Sequence, residues 1–230
     1  MRFDMSGFEC KDPFTGQILK EYSYDHIHDL KEVCQRLKHH QKSWKKVKLQ
    51  KRIKLCRGVL EYFENHKQEI AKSITQHMGR PIQHSINEVN GMLDRGNWLC
   101  ENAESILESD SIPKSKGFFR EIRKEPVGLV FVISAWNYPL LITINGLMTA
   151  ILCGNTVLLK HAAKTAGIGE IFETAFKEAG GMEFVKNINA YHADCAELIE
   201  QNYVGPCDIH WKCERRKGNL FICGKNLYGL

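Results

Sequence analysis

Residues 127–159 read VGLVFVISAWNYPLLITINGLMTAILCGNTVLL, and no Asp, Glu, Lys, Arg or His interrupts them. A charge-free run of this length is either a membrane span or the buried centre of an α/β sheet. Two interruptions decide between them. Trp136-Asn137-Tyr138-Pro139 and Gly154-Asn155 are turn sequences, and they cut the run into pieces too short to span a bilayer. Residues 128–134 are short, apolar and β-rich. Pro139 suits the first turn of a helix, where its missing N–H has no partner to lose. Residues 140–152 have helix length, Gly154 can stop that helix, and residues 156–159 form a second β-type run. The stretch therefore predicts a buried strand–helix–strand unit and no membrane association.

The 230 residues suffice for one large domain or two small ones with a real core. With 43% hydrophobic and 26% charged residues, the composition is that of a soluble globular protein. The first residues carry charge and show no apolar leader segment. Nine cysteines, an odd number, fit reduced thiols better than a disulfide framework, so a cytoplasmic setting is expected. The net charge of +5 lies almost wholly in residues 212–230, where Lys212, Arg215, Arg216, Lys217 and Lys225 face a single acid, Glu214. No aromatic residues interleave with that cluster, so nucleic-acid binding is not expected.

Outward from the central run, residues 9–24 predict short extended segments around a turn at Asp12-Pro13 and Gly16. Helical stripes follow at Leu30, Val33, Cys34 and Leu37, then at Leu49, Ile53, Cys56, Leu60 and Phe63, then at Ile70, Ile74 and Met78. Gly79 and Pro81 stop the third. A long fourth helix is predicted over 81–107, with Ile82, Ile86, Val89 and Leu93 inward. Residues 118–122 predict a strand and Glu125-Pro126 a break. Beyond the run, a helix over 168–179, a strand over 184–188, a helix over 193–202 and a strand over 209–211 complete the alternation. The fold class is thus α/β, a helical N-terminal region packed on a mostly parallel, doubly wound sheet. In such sheets ligands lie beyond the carboxyl ends of the strands, and Asn137 and Lys160 are expected just past two of them.

Ala135-Trp136-Asn137-Tyr138-Pro139 followed by Gly154-Asn155-Thr156-Val157-Leu158-Leu159-Lys160 closely resembles the aldehyde dehydrogenase superfamily. His77-Met78-Gly79-Arg80-Pro81 and Glu125-Pro126-Val127-Gly128 fit it too, and Lys160-His161-Ala162 resembles its succinate-semialdehyde branch. The resemblance covers residues 8–211, about the first half of a full-length member. It implies a truncated aldehyde dehydrogenase fold in which residues 1–126 are the N-terminal strands and helices and 127–211 a partial Rossmann-like NAD(P)-binding domain. It also implies roles. Asn137 would be the oxyanion donor, Lys160 the lysine on the adenosine ribose, and Ser134, Ala135 and Trp136 the cofactor-facing strand end. The family often has a Glu three residues after the lysine; Ala163 stands there, with His161 and Lys164 nearby, so NADP as well as NAD is expected to be tolerated. The chemistry also needs a nucleophilic thiolate and a general base. The family supplies that Cys and Glu beyond the residues present here, so the chain is expected to be inactive alone.

Residues 212–230 are expected to be an aberrant basic tail. One coding of residues 212–221, shifted by a base, translates to S-V-R-G-G-K-E-I-Y, which resembles the family's continuation; out-of-frame sequence is the reading. Cys207, His210, Cys213 and Cys223 match no common zinc module, so no metal is expected. Two functions compete: an enzyme by descent, using an aldehyde and a nicotinamide cofactor, and a non-catalytic fragment that associates with full-length subunits. The family's oligomerisation arm corresponds to residues 118–130. An unpaired sheet edge and bare helix faces would then make the fragment's stability marginal.

Overall fold

The computed structural model describes residues 7–111, 117 and 120–209. In chain order these form strands β1 (Gly7–Lys11) and β2 (Ile18–Ser23), helices α1 (Ile27–Trp44), α2 (Leu49–Asn65), α3 (Lys67–Met78) and α4 (Ile82–Leu107), and short strands β3 (Asp110–Ser111) and β4 (Glu121–Ile122). Strand β5 (Leu129–Ser134), helix α5 (Pro139–Leu152), strand β6 (Thr156–His161), helix α6 (Ala166–Glu178), strand β7 (Val185–Ile188), helix α7 (His192–Glu200) and strand β8 (Cys207–Ile209) follow.

The four later strands form one parallel sheet in the order β7-β6-β5-β8. The chain runs outward from β5 to β7 and then returns to the other side of β5. This reversal is the doubly wound topology, and it places a switch point beside the carboxyl end of β5. Both central strands are buried along their whole length, which is why the run carries no charge.

Alternation along the strands sorts the core into two layers. Val130, Val132, Val157 and Leu159 face α5 and α6, over which α2, α3 and α4 stack. Leu129, Phe131, Ile133 and Leu158 face the opposite way, onto α1 and α7. Burying one Leu, Ile or Phe side chain contributes roughly 1.5–3 kcal/mol, and α5 presents Leu140, Ile144, Leu147, Met148 and Ile151 without exposed surface. Trp44 closes the lower end: its Nε1 donates to the Ile151 carbonyl at 3.2 Å, and its ring stacks on Phe184 at 4.1 Å.

Glycine ends α3 where a side chain could not. Gly79 adopts φ +70°, and a Cβ there would sit 2.8 Å from Pro13 Cγ. Gly154, at φ +84°, does the same after α5, with Arg52 Nη1 in the place of a Cβ.

Four expectations need correction. Strand β6 continues to His161, so Lys160 lies inside the strand and not past its end; its register partners are Ile133 and Ile188. Ile82 opens α4 half exposed, because its first turn projects beyond the helix stack. The last strand begins at Cys207 and pairs with β5 through Phe131, Val132 and Ile133, two residues earlier than predicted; positions 210 and 211 lie outside the described residues. The strand expected over 118–122 is described only at Glu121–Ile122, paired antiparallel with β3. No helix among the described residues is long and apolar enough to cross a membrane.

Candidate functional site

The carboxyl end of β5 opens into the turn 135–138, and Pro139 starts α5 at once. That proline removes one orphan amide from the helix N-terminus, so the turn can be tight. Asn137 stands exposed at its apex. Trp136 and Tyr138, both about half exposed, flank it, and each carries a cation on its ring. Lys164 Nζ lies 5.3 Å from the Trp136 centroid and Arg80 Cζ 6.0 Å from that of Tyr138. These contacts give the exposed turn a defined position.

The turn rests on a residue that no motif flags. Glu88, in α4, buries its carboxylate under the start of α5 and accepts from the Leu140 N–H at 2.8 Å and the Leu141 N–H at 3.3 Å. Its other oxygen pairs with Arg80 Nη2. Arg80 Nε in turn donates to Ser85 Oγ at 3.2 Å. A negative charge against a helix N-terminus is favourable, and Glu88 supplies it from a different element. It thereby joins the His77–Pro81 motif to the Trp136–Pro139 turn. The available signal was a carboxylate on the buried face of an amphipathic helix, between Ser85 and Val89.

Lys160 and His161 are consecutive and so face opposite sides of the sheet. Lys160 is 6% exposed, on the α1/α7 side, where Cys195 and His192 of α7 are close enough to interact with it electrostatically. Its Nζ donates to the His161 carbonyl at 3.2 Å. Burial lowers its proton affinity, and Cys195 opposes that shift. His161 lies under α5 and α6: Nε2 is 2.9 Å from Thr143 Oγ1 and Nδ1 3.4 Å from Thr165 Oγ1. Burial, then the charge of Lys160, pushes the imidazole down to about 3. It is neutral and enclosed, whereas Lys164 is exposed.

Ser134 belongs to the interior of the same end of the sheet. Its side chain is buried, with Oγ 2.7 Å from Thr143 Oγ1, and its carbonyl accepts from the Ala162 N–H at 3.1 Å. Thr143 Oγ1 is also 2.6 Å from the Pro139 carbonyl. Ser134, Thr143 and His161 thus form a closed network that fastens α5 to both strand ends. The Ser134 carbonyl is engaged in the same framework. Ala135 is half-buried, and Ala163 opens the short turn after β6, exposed, with its carbonyl accepting from Cys10 Sγ at 2.7 Å.

No cysteine among the described residues is placed as a nucleophile. Cys10, at this end, is buried, engaged with Ala163 and raised by desolvation, and Cys195, near Lys160, is buried and raised to about 11 by desolvation. Cys153 lies at the other end of the sheet, after α5, half-buried. Of the four zinc candidates, His210, Cys213 and Cys223 lie outside the described residues. The one metal-like group among the described residues, His28, Asp29 and Glu32, is an exposed surface cluster.

The residues present fit the ribose end of a nicotinamide dinucleotide. A buried amine sits at the carboxyl end of a parallel strand, with small Ala162 and Ala163 after it and no acid at the third position.

Comparison with known proteins bears on the same residues. The sequence profile of the aldehyde dehydrogenase family matches residues 3–200. The succinate semialdehyde dehydrogenase [NAD(P)+] of Escherichia coli (strain K12) is 26% identical over 86% of this chain and 43% of its own length. Malonate-semialdehyde dehydrogenase 1 of Bacillus thuringiensis subsp. konkukian is 27% identical over 83% of this chain and 39% of its own. The fold is that of the Streptococcus pyogenes succinic semialdehyde dehydrogenase in complex with NADP+, at a TM-score of 0.82 and 21% identity over 87% of this chain and 44% of that one. An NAD+ complex of a Bacillus cereus aldehyde dehydrogenase also superposes at 0.82, with 23% identity over 87% of this chain and 42% of that one. The chain spans less than half the length of these relatives. A profile match over most of the sequence, together with the doubly wound sheet, makes this chain a member of the aldehyde dehydrogenase family, corresponding to its N-terminal half.

Proposed function

We propose that this chain carries the ribose-binding and oxyanion-binding parts of an NAD(P)-dependent enzyme that oxidises a small semialdehyde, of the succinate semialdehyde class, to the carboxylate. The observation that carries the reading is the pairing of Asn137, exposed at the switch-point end of β5, with Lys160, a buried amine at the end of the adjacent strand. An amide held on a fixed turn can donate to an oxyanion as charge develops, without reorganising. Lys160 would bind ribose hydroxyls, and Trp136 with Lys164 would border the 2′ position, where the lack of an acid at Ala163 suits a phosphate. The cofactor, when bound, accepts a hydride; nothing in the described residues supplies the thiolate or the general base. In this reading the described residues alone are catalytically incomplete.

A titration of the 230-residue chain with NADP+ and NAD+, followed by Trp fluorescence, tests the reading. NADP+ is expected to bind at least as tightly as NAD+, and Lys160→Met to weaken both by 10-fold or more, an order-of-magnitude figure for a lost charge-assisted hydrogen bond. The chain is expected to turn over no succinate semialdehyde. Measurable turnover, or undiminished binding by Lys160→Met, refutes the assignment.

A second reading is association with an intact subunit. Ile122 and Val127 are 54% and 60% exposed along the segment that resembles the oligomerisation arm, and among the described residues β8 pairs on one side only. Co-purification with a co-expressed full-length relative tests it.

A further inference from the structure

Helices α2 and α4 pack antiparallel, and two contacts fix their register. Gln50 Nε2 donates to Glu104 Oε1 at 2.9 Å. Farther along, Gly96 approaches Leu60 so closely that a Cβ would lie 2.4 Å from Leu60 Cδ2. One helical turn from that contact, back along α2 and forward along α4, stand Cys56 and Cys100. Residues spaced by four share a helix face, so the register that joins 60 to 96 also sets 56 against 100. Both thiols belong to the same apolar cluster and are 0% and 3% exposed. Each thiol is close enough to perturb the other: their mutual interaction, with Arg57 near Cys100, holds Cys100 below the ordinary thiol value and Cys56 above it.

We propose that Cys56 and Cys100 form a redox modification site, closed by a hydroperoxide into a disulfide that staples α2 to α4. The Cys100 thiolate attacks one peroxide oxygen; the O–O bond breaks, Cys100 becomes a sulfenic acid, and the hydroxide released takes up a proton to give water. Cys56 sulfur then attacks the sulfenic sulfur, the S–S bond forms, and the sulfenic oxygen leaves with the Cys56 proton as a second water. Two thiols are oxidised by two electrons and one peroxide is reduced by two. The staple would fix the helix that holds Glu88 against the start of α5. A thiol pair inside an apolar contact differs from the other described cysteines, for which no thiol neighbour is placed by helix register.

The test uses the purified 230-residue chain treated with hydrogen peroxide under native conditions, unfolded in the presence of an alkylating agent, and digested with trypsin without reduction. Mass spectrometry is expected to find the peptide of residues 55–57 joined to that of residues 96–114, the link disappearing with dithiothreitol, and two of the nine thiols lost to alkylation. In Cys56→Ala the sulfenic acid is expected to persist at Cys100 and to be captured by dimedone. If that variant does not fold, the wild-type peptide map decides. Cys56 and Cys100 recovered alkylated, cross-links at other pairs, or the same yield from chain unfolded before oxidation overturns the proposal.

Discussion

Glu88→Gln is the sharpest test of how the candidate site is held. The side-chain carboxylate is 1% exposed and serves three donors at once: the Leu140 and Leu141 amides and the Arg80 guanidinium, itself 15% exposed. Glutamine keeps the shape but has one acceptor oxygen, so its amide NH2 must face either Arg80 or the two helix amides. Removing one partner of a buried ion pair costs about 3–5 kcal/mol, and the retained acceptor recovers about 1 kcal/mol of that. The expected loss is about 2–4 kcal/mol, a large share of the ~5–15 kcal/mol that typical domains have, and a Tm drop of about 5–15 °C. Urea unfolding should show a lower midpoint at unchanged m. Hydrogen exchange should accelerate at Leu140 and Leu141 beyond the global effect. A double-mutant cycle with Arg80→Met should give a coupling above about 1 kcal/mol. A Glu88→Gln midpoint equal to wild type, or additivity within about 0.5 kcal/mol, refutes the view that this carboxylate anchors the turn.

Two further predictions follow from the same geometry. The His161 imidazole, held at about 3 in the fold against an ordinary value near 6.5, binds its proton only after unfolding across that interval. Stability should therefore be intact above about pH 6.5 and fall as pH drops, by about 2 kcal/mol at pH 5. His192, also lowered by burial, adds in the same direction, and His161→Gln should remove the larger part of the slope. Urea midpoints from pH 7.5 to 5 check this, and a flat wild-type profile over that range contradicts it. Gly79→Ala would stabilise by about 0.4–1 kcal/mol at an ordinary helix end. Here, with φ +70° and Pro13 Cγ 2.8 Å from the new Cβ, it should instead cost about 1–2 kcal/mol. The sign of the Tm change decides between the two.

What the sequence made legible follows from how local each signal is. Strand β5, helix α5 and the Gly154 stop lie within a residue or so of their predicted limits, because apolar runs, Pro139 and a left-handed glycine act through their own backbone. The stripes of α1 to α4 are likewise periodic signals, and the buried Leu30, Cys34, Leu37, Cys56, Leu60 and Phe63 appear where the pattern put them. Ile82 failed because periodicity names a face and not the depth at which each turn of that face is covered. Lys160 and His161 were misplaced for a related reason. Polar letters after an apolar run look like the end of a strand, whereas parallel pairing with β5 and β7 continues through them. Once both are inside the strand, alternation sends one side chain to each layer, and no spacing rule read as a loop could have separated them.

Glu88 could not have been found by motif at all, since the two amides it holds lie far off in sequence and meet it only when α4 crosses α5. Its position nonetheless follows a pattern visible across the molecule. Ser85, Glu88, Ser134, Thr143, Lys160, His161, Thr165, Asn187 and Asp194 are all buried. Ser134, Lys160 and His161 close their strands and Glu88, Thr143 and Thr165 contact that same end. A core built for stability alone would place apolar side chains there, because each buried polar group must first recover its lost hydration. Glu88, Ser134, Thr143 and His161 have protein partners and fasten α5 to the strand ends. Asn137 is exposed on the turn they hold, and Lys160, on the neighbouring strand, donates to the His161 carbonyl; a rigid support of this kind fixes the position of what it carries. The enclosed network therefore explains why the exposed amide can be precise: its position is set by bonds that no ligand needs to break.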